Sequence, residues 1–512
     1  MPVTALPSPY NRVIPLIVAF ALFMENMDST VIATSLPAIA RALGTNPLAL
    51  KLAVTSYLLS LAIFIPASGW IADRFGARDV FRIAIGVFVL GSIGCALSQS
   101  LEQLVLARIV QGAGGAMMTP VGRLIVVRSI DKRLLVNAMA WVTIPGLIGP
   151  ICGPPLGGFI TTYASWHWIF IINVPIGLVG MVMVTLYIPH VHAEPPARFD
   201  FVGFVLSGLG IGGLAFGLSV MGLEYLPTAI VTALLGVGAA ATAAYIVHAR
   251  RAPAPILDLR LFKLPTFRAS IFGGFLFRLG IGALPFLLPL LLQIGFDLTP
   301  FQSGLITFTA AVGSMFMKAA VAGVLKRFGY RPVLVYNSLI SATFLAACAS
   351  FVPGMPFAAM VVILLSGGFF RSLEFTAINT IAYAEIESQL MSKATTLVAV
   401  AQQLALSTGV AVGALVVEIT LRLKHGTAMG AYDFPPAFVV VGLLTAAASL
   451  VFIRLAPDAG AELAGRTAGG EATSLEHDAE NWKVGARPAR SSLRLRQRPG
   501  DKPALRQGAK PK

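Results

Sequence analysis

Long apolar runs, separated by short polar or Pro/Gly-rich turns, make up most of this chain. A helix crosses about 30 Å of hydrocarbon with about 20 residues, because it rises ~1.5 Å per residue. The runs are about this length or longer, so each predicts a membrane-spanning helix. The fourteen predicted helices cover residues 13–36, 50–72, 80–98, 102–127, 134–162, 166–188, 201–221, 227–248, 268–293, 301–324, 332–352, 356–383, 393–421 and 434–456. The longest runs imply tilt or helix ends that project into water.

The composition indicates an all-α membrane protein with many spans. Of the 512 residues, 56% are hydrophobic and only 12% are charged, and the mean hydropathy is +0.80. These values exclude a soluble protein of several domains. The formal charge of +15 lies at helix ends and in the C-terminal region, so we expect no nucleic-acid partner. Cys95, Cys152 and Cys348 lack metal-ligand spacing and no phosphate-binding loop motif occurs, so we expect no metal and no nucleotide.

The charges of the loops predict the orientation of the chain. If the N-terminus lies inside, nearly all loop lysines and arginines face the cytoplasm, as the positive-inside rule requires. The opposite loops then hold only Arg41, Lys51, Arg422 and Lys424. Both termini are therefore predicted to be cytoplasmic.

A charged turn between the second and third predicted helices recurs later in the chain. The first copy has the pattern Gly-x-x-x-Asp-Arg-x-Gly-x-Arg, formed by Gly69, Asp73, Arg74, Gly76 and Arg78. In the second copy Lys326 stands where the first has Asp73. The repeat predicts two bundles of six helices, with a substrate site at their interface near the middle of the bilayer.

Five parts follow from this organisation. A cytoplasmic N-terminus (1–12) precedes an N-terminal six-helix bundle (13–188). Two extra transmembrane helices with flanking cytoplasmic loops (189–267) separate it from a C-terminal six-helix bundle (268–456). Glu224 is predicted near the turn between the extra helices. Residues 457–512, rich in Arg, Pro, Gly and Ser, predict a disordered basic cytoplasmic tail.

Three charged residues inside spans of the first bundle are candidates for proton coupling or substrate binding, because charges in hydrocarbon are costly. Counting ~1.5 Å per residue places Asp28 and Arg108 at similar depths. If their helices adjoin, the two form a buried pair whose acid changes proton occupancy with its surroundings. Glu25 shares a helix face with Asp28, so both acids could line one aqueous cavity. A static structural pair is the alternative.

The second bundle supplies candidates for a substrate cavity. Arg278 and Arg371 are predicted near mid-depth, and Lys318 lies in the inner third of its span. Glu374 follows Arg371 by three residues, which predicts an ion pair on one helix face. Three cations opposite two acids make anionic or zwitterionic substrates credible, although aromatic residues could still bind lipophilic cations. Glu418, close to an outer helix end, is predicted to be solvated.

The fifth predicted helix contains a run of glycines and prolines. Gly149, Gly153, Pro154, Gly157 and Gly158 weaken this helix and allow another helix to approach closely.

These motifs resemble those of the major facilitator superfamily. The turn at Gly69 resembles its loop signature, and the run that contains Arg108, Gln111 and Gly112 resembles its fourth-span motif. The run from Gly149 resembles the antiporter motif of exporters. The segments around Asp28 and around Trp166 resemble those of the fourteen-span drug:proton antiporters of the EmrB/QacA type, closest to the MdtD-like bacterial members.

The resemblance implies a major facilitator fold with 14 transmembrane helices (6+2+6) in a bacterial inner membrane. It implies a proton-coupled exporter of drugs or other small amphipathic molecules, in which Arg108 transfers a proton or holds an acid of the first span. The turn at Gly69 would be a conformational latch, with Asp73 bound to a helix N-terminus or to an arginine. Partners are then a small-molecule substrate, protons and the lipid bilayer; no cofactor is expected, and a monomer is plausible.

Two alternatives remain open. An exporter or symporter of anionic metabolites or chelates fits the cations of the second bundle. A non-transporting receptor or a membrane-embedded enzyme is disfavoured. No cluster of His, Asp, Glu and Cys collects at one membrane face in the sequence, and a receptor would not need the three motifs together.

Overall fold

The computed structural model describes residues 10–130, 134–189, 198–223, 227–424 and 429–465. Several sequence predictions fall outside these ranges: most of the N-terminal segment 1–12, the side chain of Glu224, and the greater part of the tail 457–512.

Fourteen helical segments in the described part of the chain are long and apolar enough to span a membrane. They are α1 (Val13–Ala42), α2 (Pro47–Phe75), α3 (Ala77–Ala96), α4 (Leu101–Ser129), α5 (Ala138–Tyr163), α6 (Trp168–Tyr187), α7 (Phe201–Val220), α8 (Thr228–Arg251), α9 (Pro265–Gly295), α10 (Pro300–Phe328), α11 (Tyr330–Ser350), α12 (Phe357–Ile381), α13 (Ser388–Leu423) and α14 (Ala431–Phe452). The described residues contain no strand. The prediction of fourteen helices is therefore confirmed.

Helix ends differ from the predicted ends where local chemistry extends the helix. The first helix continues through a 3₁₀ turn, Ile32–Ser35, into a further helical segment, Leu36–Ala42, with Pro37 near the start of that segment. Proline is tolerated there because the first turn of a helix has no partners for its N–H groups. α9 ends in a π-helical turn, Leu291–Gly295.

The helices are described in the groups that the sequence predicts, which are the first group α1–α6, the inserted pair α7 and α8, and the second group α9–α14. In the first group α1 packs on α5, and α4 packs on both α2 and α3. In the second, α9 packs on α13, α10 on α12, and α11 on α14. The groups meet along two seams, where α5 contacts α10 and α2 contacts α13. The inserted helix α7 packs on its neighbour α8 and on both α2 and α13, so it lies along the second seam.

The two ends of the bundle differ in how the groups meet. We call the end with the turn 74–78 the inner end, following the orientation predicted from the loop charges, and the opposite end the outer end. At the outer end one apolar cluster contains residues of both groups, such as Leu36 and Trp166 with Leu287 and Phe434. Towards the inner end, each group has an apolar cluster of its own, and a fourth cluster joins Ala62 of α2 to residues of α8, α9 and α13, such as Tyr245, Phe267 and Val398. The two groups therefore share one cluster at the outer end, and towards the inner end they are joined along the α2–α13 seam.

Candidate proton and substrate site

Asp28 lies at the centre of a buried polar network in the first group. Its side chain is 0% exposed, and Arg108 Nη1 donates to its Oδ2 at 2.6 Å. Its Oδ1 accepts from Gln111 Nε2 at 2.9 Å and from Asn173 Nδ2 at 2.7 Å. Ser92 Oγ accepts from both amides. Four helices, α1, α3, α4 and α6, each supply a member of this network, and the carboxylate itself accepts from α4 and α6.

Arg108 is as deeply buried as its partner and is held on several sides. Its side chain is 1% exposed, and its Nη1 also donates to Gln111 Oε1 at 2.7 Å. Its Nε donates to the Ala53 carbonyl on α2 at 3.3 Å. The guanidinium lies 4.1 Å from the ring centroid of Tyr57, a cation–π distance. A buried arginine that is paired and stacked in this way has a single favoured position, which fixes the position of Asp28.

The structure thus places Asp28 and Arg108 in direct contact, as their equal depths predicted. The sequence did not assign Gln111, Asn173 and Ser92 to this site. All three are polar side chains within apolar runs, and Gln111 also belongs to the run that resembles the fourth-span motif, but neither signal specifies the direction in which a side chain points. The network balances one negative charge with one positive charge and leaves each oxygen of Asp28 hydrogen-bonded.

Glu25 is one helical turn from Asp28 towards the inner end, in different surroundings. It is half-buried, and its Oε2 accepts from Thr119 Oγ1 at 2.8 Å. In this conformation Asp28 is sealed by its network, so the prediction that both acids line one open cavity is wrong here. The physical reason is that Arg108 and the two amides fill the space around Asp28, whereas Thr119 is the hydrogen-bond partner of Glu25 in the described structure.

The glycines of α5 allow close packing on α1. A Cβ atom on Gly149 would lie 3.0 Å from the Phe23 carbonyl oxygen, and one on Gly157 would lie 2.3 Å from the Val31 carbonyl oxygen. A Cβ on Gly153 would lie 2.0 Å from Thr30 Oγ1. Any larger residue would therefore force the helices apart.

Gly158 and Pro154 face the other group instead. A Cβ on Gly158 would lie 2.3 Å from the Pro300 carbonyl oxygen, and a Cβ on Gly304 would lie 2.3 Å from the Pro154 carbonyl oxygen. Nearby, the Phe301 backbone N–H donates to Thr162 Oγ1 at 3.0 Å. The glycine motif of α5 thus serves both an internal contact and the α5–α10 seam.

The charged turn is held within the first group. Asp73 Oδ1 accepts from Arg128 Nη2, at the end of α4, at 2.7 Å, which selects the arginine from the two predicted partners. Gly76 has a φ of +88°, a conformation that favours glycine. Arg78 Nη2 donates to the Thr185 carbonyl, and Arg74 is exposed. Gly69 would accept a Cβ without contact within 4 Å, so packing does not explain that glycine.

Arg278 is a fully buried cation of the second group. Its side chain is 0% exposed, and its Nη2 donates to Asn379 Oδ1 at 2.8 Å. Its Nε and Nη1 have no hydrogen-bond partner in the described chain. The guanidinium lies 5.6 Å from the ring centroid of Phe375. No carboxylate of the described residues is within ion-pair distance of this cation.

The other candidates of the second group require corrections. Glu374 does not pair with Arg371 in the described structure; it is 0% exposed and accepts from Asn337 Nδ2 of α11 at 3.0 Å. Spacing by three residues places two side chains on one face, but Glu374 points to the neighbouring helix. Lys318 is exposed and Arg371 is half-buried. Glu418 is not solvated, since it forms ion pairs with Lys51 and Arg422.

The fold and the buried pair define a secondary transporter, and the chain belongs to the major facilitator superfamily. The family model described as Major Facilitator Superfamily matches residues 18–257 and 270–499. Among solved structures, the fold is similar to a D-xylose–proton symporter with a TM-score of 0.62 and 14% identity, covering 87% of this chain and 98% of that chain. A bacterial homologue of the human lysosomal transporter Spinster gives a TM-score of 0.61 and 15% identity, covering 88% of this chain and 97% of that chain.

The sequence is similar to proteins that carry the name multidrug resistance protein MdtD. The protein from Salmonella paratyphi A is 39% identical over 448 residues, which are 86% of this chain and 94% of that protein. The protein from Salmonella typhimurium gives the same identity and coverage. The resemblance to MdtD-like members is therefore confirmed, and the chain is a multi-pass transporter of the bacterial inner membrane.

Proposed function

We propose that the protein is a proton-coupled antiporter that exports drugs or other small amphipathic molecules. The observation that carries the proposal is the pair of Asp28 and Arg108, buried together at the centre of the first group. An ionisable pair inside the membrane is expensive, and such residues mark ion and substrate pathways. The similarity to the MdtD proteins supports efflux as the direction.

The chemistry of the pair follows from its charges. While Asp28 is ionised, it neutralises Arg108, and the carboxylate and guanidinium satisfy each other within the network. A proton on Asp28 removes the negative charge and leaves Arg108 as an unpaired buried cation, which is unstable. The two protonation states therefore favour different arrangements of the surrounding helices. A ligand, here the proton, shifts a conformational equilibrium by its different affinity for the two states.

Glu25 has a separate role in this proposal. It is half-buried on the inner side of Asp28 and accepts a hydrogen bond from Thr119 in the described structure, so its proton can exchange while Asp28 is sealed. We assign to Glu25 the release of protons, or the binding of substrate, on the inner side. Segments 13–188 and 268–456 would rock against each other around a midplane cavity, and Asp73 with Arg128 would hold the turn of the first segment.

Uptake into inverted membrane vesicles under an imposed pH gradient tests the coupling. Asp28→Asn and Arg108→Ala are compared with wild type, with ethidium as the transported dye. Glu102→Gln is the matched control, because Glu102 is exposed at the start of the same helix as Arg108. We expect gradient-driven transport to be lost in the first two variants and kept in the control. Unchanged transport in both would overturn the coupling role of the pair.

A second candidate is export or symport of anionic metabolites or chelates. Arg278 favours it, because a fully buried guanidinium with two unpartnered nitrogens is a donor set suited to a carboxylate. The test compares transport of organic anions with that of cationic dyes in wild type and Arg278→Gln. Loss of anion transport alone in the variant would support this candidate, and movement of cations only would defeat it.

A further inference from the structure

Lys51 is a buried cation at the outer end of α2. Its side chain is 0% exposed and lies among apolar neighbours such as Leu50 and Leu52. An ammonium group in such surroundings requires partners. The described structure supplies Glu418 Oε2 of α13 at 3.7 Å and the Met221 carbonyl, to which Nζ donates at 3.4 Å. A residue of the first group thus pairs with an acid of the second.

Glu418 connects this lysine to a second cation. Arg422 Nη2, one turn further along α13, lies 3.0 Å from Glu418 Oε1. The same Nη2 donates to the Gly222 carbonyl at 2.5 Å. The Lys51 and Glu418 side chains are 0% and 13% exposed, so this ion pair lies largely away from water, whereas Arg422 is 56% exposed. Screening by solvent is therefore weaker at the Lys51–Glu418 pair than at an exposed pair.

The third component is the turn that follows the inserted helix α7. The carbonyls of Met221 and Gly222 accept from the two cations. Gly222 has a φ of +88°, and a Cβ there would lie 2.6 Å from Glu418 Oε2. Both the backbone conformation and the space require glycine at this position. The inserted pair of helices therefore reaches the charges that join the two groups.

We propose that Lys51, Glu418, Arg422 and the turn Met221–Gly222 form a latch that holds the outer end closed along the α2–α13 seam. We call this set the outer latch. For α2 and α13 to part at this end, Lys51 must leave Glu418, and the turn must lose its hydrogen bond to either Lys51 or Arg422. The turn after α7 is fixed to both helices, so the extra pair of helices sets the cost of outward opening. This assigns the inserted pair a function in the transport cycle, and it rests on the alternating access proposed above.

Distances between spin labels at the outer ends of the two groups test the latch in purified protein in lipid nanodiscs. Leu97→Cys, after α3, and Val352→Cys, after α11, provide exposed sites, 72% and 39% exposed in the wild type. Cys152, the half-buried native cysteine, is changed to Ala in this background. The measurement reports the populations with the outer end closed and open, and it needs neither substrate nor a proton gradient. A failure of proton coupling would therefore not affect it.

Three substitutions break the latch in different ways. Lys51→Ala removes the cation, Glu418→Gln removes the charge with little change of shape, and Gly222→Ala pushes a methyl group against Glu418. Breaking one side of a largely buried ion pair is costly, so we expect each to raise the ratio of open to closed populations by about tenfold or more. Lys51→Arg keeps the charge and should keep most of the closed population.

Two matched controls separate the latch from general effects. Lys424→Ala removes an outer ion pair, with Asp433 at 2.8 Å, that lies entirely within the second group. Gly44→Ala also places a side chain at positive φ, +60°, but nothing lies within 4 Å of its Cβ. Both should leave the populations unchanged. Populations that do not change in a folded Glu418→Gln or Gly222→Ala variant would overturn the proposal, as would equal shifts in the controls. If Lys51→Ala fails to fold, Glu418→Gln and Gly222→Ala still test the proposal.

Discussion

The α5–α10 seam allows a prediction based on one methyl group. Gly158→Ala would place a Cβ atom 2.3 Å from the Pro300 carbonyl oxygen. Carbon and oxygen in van der Waals contact are about 3.3 Å apart or more, so the two helices must separate by roughly 1 Å at this point. The obstacle is backbone at the start of α10, which cannot rotate away as a side chain can.

The free-energy cost of Gly158→Ala follows from the cost of overpacking, which is about 1–3 kcal/mol for an added methylene in a close-packed contact. This contact joins the two groups at the outer end, so the cost falls on the closed state of that end and not on the packing within either group. A free energy of that size changes an equilibrium by about 5–150-fold. We therefore expect Gly158→Ala to raise the outward-open population by about that factor.

Spin-label distances at the outer ends measure the shift, and thermal unfolding provides the contrast. Gly157→Ala is the matched control, since its Cβ would lie 2.3 Å from the Val31 carbonyl oxygen inside the first group. It should lower the unfolding temperature with little change in the open population. A Cβ on Gly146 has nothing within 4 Å, so Gly146→Ala should change neither the unfolding temperature nor the open population. Equal open populations in wild type and a folded Gly158→Ala variant would show that this contact does not hold the outer end closed.

Three further predictions concern charges. Asp73→Asn should lower turnover only about two- to fivefold and leave the substrate KM unchanged. The reason is that the ion pair with Arg128 is partly exposed and contributes ~1 kcal/mol or less. A large rise in the substrate KM, measured in proteoliposomes, would contradict this prediction. Hydrogen bonds from Arg260 hold the pKa of Asp258 well below its usual range, so its stabilisation is complete at neutral pH, starts to fall below about pH 4 and is lost as the pH approaches the lowered pKa. The unfolding temperature of Asp258→Asn should therefore lie below that of wild type at pH 7, with a gap that is unchanged at pH 5 and narrows only below about pH 4. Glu374→Gln should leave the unfolding temperature nearly unchanged, because glutamine still accepts from Asn337 and no paired cation is lost; a drop as large as that of Asp28→Asn would show that Glu374 is ionised.

The helices and the Asp28–Arg108 contact could be predicted from the sequence, because both depend on distances counted along the chain. Apolar run length sets the number of spans, and residue counts from a helix end set the depth of Asp28 and Arg108. Rotation about the helix axis is different. Glu374 was expected to face Arg371 but points to Asn337, since spacing along one helix does not specify which neighbouring helix its polar face meets.

The outer latch could not be predicted for a related reason. Lys51, Glu418 and Gly222 lie far apart in the chain, and each one alone has an ordinary explanation at a loop or helix end. Only the packing of α7 on both α2 and α13 brings them together. In the sequence Lys51 was a charge that served the orientation rule; in the fold it is 0% exposed and paired across the two groups.

The two seams close the outer end by different physical means, and this permits a test of whether they open together. Gly158 and Gly304 meet backbone atoms without any charge, whereas Lys51 and Glu418 form an ion pair. The sites share no residue, so their free energies should add if one rigid-body motion opens both seams. The double variant Gly158→Ala with Glu418→Gln should then shift the open population by the product of the two single shifts. A double shift no larger than the greater single shift would mean that the seams open in separate steps, with only one of them limiting.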